Sequence, residues 1–263
     1  MTDDAAKLAA AARQIVETDL LMGGTFMPRR RKKAAAATTQ AATAPAAAKG
    51  SLRTAAPPPH VTPGAEGKAA ALAAIDEAEV RACTKCCLSK GRTQTVFGEG
   101  DPGARLVFVG EGPGEEEDRT GRPFVGRAGE LLTNMITAMG LSRAEVYICN
   151  VVKCRPPHNR TPSPDEAQAC WSYLVRQLQI ISPEVIVTLG NPATQALLDT
   201  KVGITRLRGQ WQTLPAIAEG LEGIAVMPTF HPSYVLRQYN AQTRGMVWSD
   251  LQQVMAKLGL KRS

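Results

Sequence analysis

The sequence predicts an α/β fold in which a central, mostly parallel sheet of four strands lies between two layers of helices. Short apolar runs, which are typical of buried strands, alternate with longer segments of helical periodicity. There are four such runs, and they set the predicted number of strands. Because strands separated by helices form βαβ units, the strands run parallel and helices cover both faces, which gives three α/β/α layers.

The predicted elements follow one another from residue 69 to residue 258. The strands cover residues 105–110, 146–152, 185–190 and 224–227. The helices cover residues 69–80, 128–139, 164–181, 191–198 and 244–258. Two helix ends carry clear chemical signals: Ser163 and Glu166 form a capping box around a first-turn proline, and Gly140 suits the left-handed position after a helix.

Composition divides the 263 residues into three parts. Residues 1–33 are predicted to contain a short helix over 5–22 and a basic run. Residues 34–66, rich in Ala and Pro, are predicted to form a disordered linker, and residues 67–263 the folded domain. The basic run has two interpretations: a solvated tail, or a contact with DNA phosphates or a protein partner.

Charge and hydropathy exclude several classes of protein. The net charge is +7, of which residues 1–66 carry +4, so the folded part is only mildly basic and does not by itself indicate nucleic-acid binding. No apolar run is long enough for a membrane span, and the start of the chain lacks a secretory or transit signal. We therefore expect a cytoplasmic protein without membrane contact.

The six cysteines point to a metal centre rather than to disulfides, as expected in a reducing compartment. Four are spaced as ligands of one centre: Cys83 and Cys86 form a C-x2-C pair, and Cys154 and Cys170 flank a loop and the start of a helix. Four thiolates suit Zn²⁺ or an iron–sulfur cluster, and buried inert thiols are the alternative. Cys149, inside a strand, is predicted to be a core residue.

Ligands of parallel sheets bind beyond the carboxyl ends of the strands, so the residues that come after each strand are candidates for a site. The first strand is followed by a glycine-rich turn (GEGPG, residues 110–114) that contains Glu111 and Gly112, and then by four acids including Glu117. The turn lacks the lysine of a P-loop, and it places carboxylates where acid–base chemistry could use them. Stabilisation of a helix N-terminus is the alternative role for the four acids.

Three further side chains lie near strand ends. Phe124, in a glycine-rich loop, is either a core residue or a platform on which a flat ring stacks. Asn150 ends the second strand, where its amide could read a base edge or cap a loop. His231 follows the last strand, where it could stabilise a developing anion or serve as a structural histidine.

Together these motifs resemble the family-four uracil-DNA glycosylases, the iron–sulfur type. The resemblance rests on the four cysteines and four further motifs, which occur in the family's order from about residue 80 to the end of the chain. These motifs are residues 110–114 with the acids 117–118, residues 121–126 (GRPFVG), residues 150–157 (NVVKCRPP) and residues 231–233 (HPS). Residues 1–66 lie outside the resemblance.

The resemblance implies a uracil-DNA glycosylase-like fold and a structural [4Fe–4S] cluster on Cys83, Cys86, Cys154 and Cys170. It implies hydrolysis of the N-glycosidic bond of deoxyuridine in single- or double-stranded DNA, which leaves an abasic site for base excision repair. The base must be flipped out of the duplex before this bond can be reached. We expect a monomer, with residues 1–66 free to bind an unknown protein partner.

The resemblance also assigns roles within the site. His231 would donate a hydrogen bond to uracil O2, Asn150 would read the Watson–Crick edge and Phe124 would stack on the ring. Glu117 would lie beside the C5 edge and crowd a thymine methyl group. Glu111 would orient or activate water, or stabilise the sugar cation.

Further residues would hold the DNA. Backbone amides near Gly112 would supply polar contacts. Leu236 would enter the duplex as a wedge, packing in the core being the alternative, and Arg237 would contact a phosphate. Basic residues near the cysteines are also predicted to hold the DNA backbone: Lys153, Arg155 and Arg160.

A related group bonds covalently to abasic DNA through a histidine in an inserted loop. Here that loop has no insertion, and Asn159 occupies the matching position, next to His158. We therefore expect turnover. Two alternatives stay open: a protein that binds uracil or abasic DNA without turnover, and a glycosylase that also accepts other deaminated bases.

Overall fold

The computed structural model describes residues 64–261. The helix predicted over residues 5–22, the basic run and most of the predicted linker lie outside these residues. The first helix, α1 (Ala65–Ile75), begins earlier than predicted and includes Ala65 and Glu66 of the predicted linker. It continues into a π-helical turn, Asp76–Val80.

The central sheet has six strands in the order β1-β3-β2-β4-β6-β5. The four predicted strands form its parallel centre: β2 (Leu106–Gly110), β3 (Tyr147–Asn150), β4 (Val185–Leu189) and β6 (Ala225–Thr229). The predicted number of four is wrong because two short strands pair antiparallel at the edges: β1 (Glu99–Gly100) on β3 and β5 (Gln212–Thr213) on β6. Two-residue strands are too short to show a hydropathy pattern.

Helices cover both faces of the sheet, which confirms the predicted three layers. They are α2 (Glu115–Thr120), α3 (Arg127–Ala138), α4 (Pro164–Ile181), α5 (Asn191–Leu198), α6 (Ile204–Leu207), α7 (Pro232–Arg237) and α8 (Ala241–Leu258). The capping box at the start of α4 is present, with the Ser163 N–H donating to Glu166 Oε2 at 2.8 Å. Within residues 64–261, no helix combines the length and apolarity needed to cross a membrane.

Alternate residues of each strand face opposite apolar cores. In β2, Val107 and Val109 face the core formed with α1, α4 and α5, whereas Leu106 and Phe108 face the core formed with α3 and α8. This arrangement buries both faces of the parallel strands, which explains why each strand is an unbroken apolar run. The polar residues that the strands carry are therefore confined to their ends.

Candidate active site

The strand ends bring the predicted segments to one edge of the sheet. Gly110 at the end of β2 is paired with Asn150 at the end of β3, and Leu189 of β4 is paired with Thr229 of β6. The N–H of Gly190 donates to the Thr229 carbonyl at 2.9 Å, which ties the turn after β4 to the segment leading to His231. The segments predicted to form the site therefore meet at the carboxyl edge of the parallel strands.

Asn150 is buried with an unused hydrogen-bond acceptor. The residue is 1% exposed, and its Oδ1 has no hydrogen-bond partner. Gly110 lies against it, since a Cβ atom there would overlap Asn150 Oδ1 and lie 2.5 Å from Cζ of Phe124. The absence of a side chain at Gly110 thus allows the amide and the aromatic ring to lie close together.

The Phe124 ring is held in place by an unusual backbone conformation. Its φ of 53° is left-handed, which is strained for a bulky residue and persists only when the surroundings fix it. Arg143 supplies this support by donating to the carbonyls of Pro123 at 2.7 Å and Phe124 at 3.1 Å. The ring centroid lies 5.6 Å from that of His231, so an aromatic ring and an imidazole border the same space.

Glu117 joins the glycine-rich turn to the Phe124 loop. Its Oε2 accepts from the N–H of Gly114 at 3.1 Å, and its Oε1 accepts from the N–H groups of Val125 at 2.9 Å and Gly126 at 3.1 Å. Three backbone donors fix the carboxylate in one orientation and spread its charge over them. Its position in the fold is thereby set independently of any ligand.

His231 is neutral, and its donor is identified by its surroundings. The backbone N–H of Ser233 donates to Nδ1 at 3.1 Å, so the proton of the neutral ring is on Nε2. Burial lowers the pKa of His231 to about 4; the nearby charge of Arg237 lowers it further, and Glu117 partly offsets this. Gly190 permits the close approach of the imidazole, since a Cβ there would lie 2.9 Å from that of His231.

Glu111 and Gly112 lie beneath the loop that follows β3. Burial raises the pKa of Glu111, while a hydrogen bond to Thr161 and the charge of Arg237 act in the opposite direction. A Cβ at Gly112 would lie 2.7 Å from the Val152 side chain, so the backbone of the turn packs directly on this loop. The structure thus places a half-buried carboxylate and the histidine near one guanidinium.

Helix α7 extends from His231 toward the surface. Leu236 is half-buried against the core, whereas Arg237 is exposed, with Nη1 3.4 Å from Ser233 Oγ. Tyr234 and Tyr239, on either side of this pair, are among the most exposed large apolar side chains in the part of the chain that is described, at 36% and 48%. The helix therefore presents an apolar and cationic surface next to the pocket.

The four predicted ligand cysteines lie in one region. Cys154 and Cys170 are buried in a core against which the half-buried Cys83 and Cys86 pack. Burial raises the pKa of Cys154 to about 11, and Cys170 and Cys86 contribute to the rise. Arg92 donates to Cys154 Sγ at 3.1 Å, so a cation already faces this thiol.

Among residues 64–261, no group of three or more His, Cys, Asp or Glu side chains is placed to hold one metal ion. Cys87 is not one of the four predicted ligand cysteines. It is exposed, and its Sγ lies 3.1 Å from Glu166 Oε1. Cys149 is fully buried in β3, as predicted.

One of the residues predicted to contact the DNA backbone is not at the surface. Lys153 is only 1% exposed, so its predicted contact with the DNA backbone is wrong. Arg155 and Arg160 are more accessible, and they form ion pairs with Glu115 and Glu166. The prediction treats a basic residue within a motif as a surface residue, although the apolar neighbours of Lys153 in the sequence are a signal of burial.

The loop at residues 155–163 contains two left-handed residues. His158 has φ 55° and Asn159 has φ 54°. The Asn159 Oδ1 accepts a hydrogen bond from Arg155 Nε at 2.8 Å. His158 is exposed. Asn159, at the position where the related group has its histidine, is thus an amide already paired within its own loop.

Sequence reasoning missed the residues that support the pocket. Gly110 and Gly190 allow close approach of side chains, and Arg143 holds the Phe124 loop. The available signal was the glycine that ends each of two strands. Nothing in the sequence pattern indicates where the guanidinium of Arg143 lies.

Comparison with known proteins agrees with this geometry. The family model for the Uracil DNA glycosylase superfamily matches residues 97–252, which is more than half of the chain and includes Glu111, Asn150 and His231. The fold and this match therefore define a member of the uracil-DNA glycosylase superfamily.

Individual relatives identify the family within this superfamily. A protein of Thermotoga maritima named type-4 uracil-DNA glycosylase is 53% identical over 174 residues, which are 66% of this chain and 88% of the relative. Proteins of the same name from Sulfurisphaera tokodaii and Archaeoglobus fulgidus are 47% and 44% identical, over 67% and 70% of this chain and 80% and 92% of their own lengths. The chain belongs to the type-4 family of uracil-DNA glycosylases, as its motifs imply.

Proposed function

We propose that this chain hydrolyses the N-glycosidic bond of deoxyuridine in DNA, releasing uracil and leaving an abasic site for base excision repair. The observation that carries the proposal is the buried, unpartnered Oδ1 of Asn150, next to the ring of Phe124 and the imidazole of His231. A base inside a duplex cannot reach such a pocket. The nucleotide must therefore be flipped out before the reaction.

Asn150 supplies base recognition. Uracil presents an N3–H donor beside the O4 acceptor, and the Asn150 amide offers the complementary Oδ1 acceptor and Nδ2–H donor. Cytosine presents an acceptor at N3 and a donor at C4, which places donor against donor and acceptor against acceptor. Pairing with uracil N3–H would also give the buried Oδ1 of Asn150 a hydrogen-bond partner.

His231 stabilises the leaving group. As the bond between C1′ and N1 breaks, its electron pair moves to the base, and negative charge develops on uracil O2. The Nε2–H of the neutral imidazole donates to this oxygen, while Ser233 holds the ring through Nδ1. Because the donor is fixed before reaction, little reorganisation is needed as the charge forms.

Glu111 acts on the sugar side of the bond. The departing base leaves an oxocarbenium-like sugar, which water attacks at C1′. The half-buried carboxylate of Glu111 orients this water, takes up its proton or stabilises the cationic sugar. The products are free uracil and a deoxyribose with a hydroxyl group at C1′.

Two residues limit which bases enter. Phe124 stacks on the flat ring, and Glu117, fixed by three backbone N–H groups, lies along the C5 edge, where a thymine methyl would be crowded. The backbone at Gly112 adds polar contacts to the base. On this account the pocket accepts uracil and excludes the normal pyrimidines.

The surface of α7 engages the DNA. Leu236 inserts into the space left by the flipped nucleotide, and Arg237 contacts a phosphate, with Arg155 and Arg160 nearby on the loop after β3. Single-stranded DNA needs no such wedge, so both strand types are substrates. We further propose a monomer that works in the cytoplasm, with residues 1–66 as a segment for a protein partner.

The four cysteines are proposed to hold a [4Fe–4S] cluster. Cys154 and Cys170 are buried in one core against which the half-buried Cys83 and Cys86 pack, so the four thiols share one region. Four thiolates are the ligand set that such a cluster requires. When bound, the cluster supplies a cross-link that braces the DNA-binding loops. A brown protein with broad visible absorbance supports this, and a colourless protein with one zinc contradicts it.

The direct test is release of free uracil from a uracil-containing oligonucleotide by the full chain. We expect release by the wild type and loss of about 100-fold or more in Asn150→Ala and His231→Ala, on the scale of losing one oriented donor to a developing anion. His158→Ala is the matched control, since this exposed histidine should be dispensable. Tight binding of uracil-containing DNA without product would contradict the proposal.

A further inference from the structure

A buried lysine connects the four predicted ligand cysteines, here called the cysteine frame, to the residue that reads the base. Lys153 is 1% exposed, and its Nζ donates to the main-chain carbonyl of Asn150 at 2.7 Å and to Gln177 Oε1 at 2.5 Å. Gln177, in α4, is fully buried. The ammonium group is therefore held between β3 and a helix of the layer above it.

The network continues through Gln177. Its Nε2 donates to the Phe97 carbonyl at 2.9 Å and to the Tyr147 hydroxyl at 3.2 Å. The Lys153 carbonyl in turn accepts from the N–H of Val96 at 2.8 Å. These bonds join β3, the segment at residues 96–97 and α4 into one polar cluster inside an apolar core.

Burial of a charged group is unfavourable, and here it is offset by the two hydrogen bonds that the amino group donates. An apolar side chain in its place would leave the Asn150 carbonyl and Gln177 Oε1 without this donor. What the ammonium adds is direction, because it fixes one particular carbonyl, that of Asn150, relative to α4.

Lys153 and its partner Gln177 are each close in sequence to one of the four predicted ligand cysteines. Lys153 immediately precedes Cys154, and Gln177 lies two helical turns after Cys170 on the same face of α4. A displacement of either cysteine segment would thus move the carbonyl of Asn150. The side-chain amide of Asn150 shares the same Cα atom.

We propose that Lys153 is a positioning residue: by holding the main chain of Asn150, it aims the base-reading amide into the pocket and makes uracil recognition depend on the cysteine frame. The inference rests on the proposed function for the role of Asn150. Lys153 itself touches neither the base nor the DNA.

The test is a double-mutant cycle on full-length protein. Single-turnover uracil release from a single-stranded oligonucleotide is measured for wild type, Lys153→Met, Asn150→Ala and the double variant. We expect Lys153→Met to slow release about 10- to 100-fold, since a small misplacement can cost that much. The double variant should be no more than about twofold slower than Asn150→Ala alone, because Lys153 acts through Asn150. A wild-type rate in Lys153→Met, or losses that multiply, would overturn the proposal.

Two controls separate positioning from general destabilisation. Val254→Ala, in the core on the opposite face of the sheet, should lower the melting temperature but keep the rate. Gln177→Leu removes the second partner of the ammonium, and should slow release with the same non-additivity toward Asn150→Ala. It carries the cycle if Lys153→Met does not fold.

A readout without catalysis keeps the inference separate from the proposed function. The side-chain ¹⁵N–¹H₂ signals of Asn150 should be sharp in the wild type and shifted or doubled in Lys153→Met. Unchanged signals would refute the positioning role even if uracil is released. If the wild type releases no uracil, the proposed function fails while these signals still decide whether Lys153 orients the amide.

Discussion

The protonation state of His231 is the most quantitative consequence of the pocket. Burial and the charge of Arg237 lower its pKa to about 4, and the Ser233 N–H occupies Nδ1. The account therefore requires a neutral ring with its proton on Nε2 throughout the range in which DNA repair takes place. Lowering the pH from 8 to 5.5 is the perturbation that examines this requirement.

The magnitude comes from the difference between a pKa of about 4 in the folded chain and 6.5 in the unfolded one. At pH 5.5 about 3% of the folded protein carries the proton, compared with about 90% of an unperturbed histidine. As the pH falls through 6.5 the unfolded chain takes up the proton first. Stability is therefore lost between pH 6.5 and 4, up to about 3 kcal/mol, and levels off below pH 4.

Two measurements check this. The chain has three histidines, so imidazole resonances in a ¹H–¹⁵N spectrum can be assigned to His231 by their loss in His231→Gln. We expect these resonances to show the Nε2–H form and not to titrate above pH 5.5. The free energy of unfolding should fall more between pH 7 and 5 in the wild type than in this variant. A titration midpoint near 6.5, or a proton on Nδ1, would contradict a neutral His231 that donates from Nε2.

Three other substitutions test the remaining parts of the pocket. Gly110→Ala should slow uracil release by about 100-fold or more, because the new Cβ occupies the space between the amide and the ring; Gly245→Ala, with nothing within 4 Å, should keep the wild-type rate. Glu117→Gln should lower stability by about 1–3 kcal/mol in thermal melts by disturbing three backbone hydrogen bonds, and an unchanged melting temperature would contradict a structural role for these bonds. Leu236→Ala should slow release from duplex DNA about tenfold more than from single strands, since only the duplex must be unstacked; equal slowing would indicate a packing role.

The central fold is predictable from local signals in the sequence. The four parallel strands are continuous apolar runs, and α4 begins at a capping box, so each was predictable to within a few residues. The edge strands Glu99–Gly100 and Gln212–Thr213 were not, because two residues carry no periodicity and their pairing depends on β3 and β6.

The sequence indicates which residues form the candidate site, but not the contacts that hold them in place. The strand-end rule and the family motifs indicate Asn150 and His231, since a parallel sheet gathers the residues at the carboxyl ends of its strands along one edge. The apolar neighbours of Lys153 in the sequence hint at its burial, but its hydrogen bond to Gln177 depends on α4 packing over it, which no local pattern encodes. The left-handed backbone of Phe124 likewise results from tertiary contacts, above all those of Arg143.

The most direct test of the pocket is a crystal structure of the protein with uracil bound. Uracil N3 should lie within hydrogen-bond distance of Asn150 Oδ1, and O2 within hydrogen-bond distance of His231 Nε2, at about 2.7–3.2 Å each, with the base stacked on Phe124. Uracil bound at another site, or in this pocket with N3 turned away from Asn150, would contradict this arrangement.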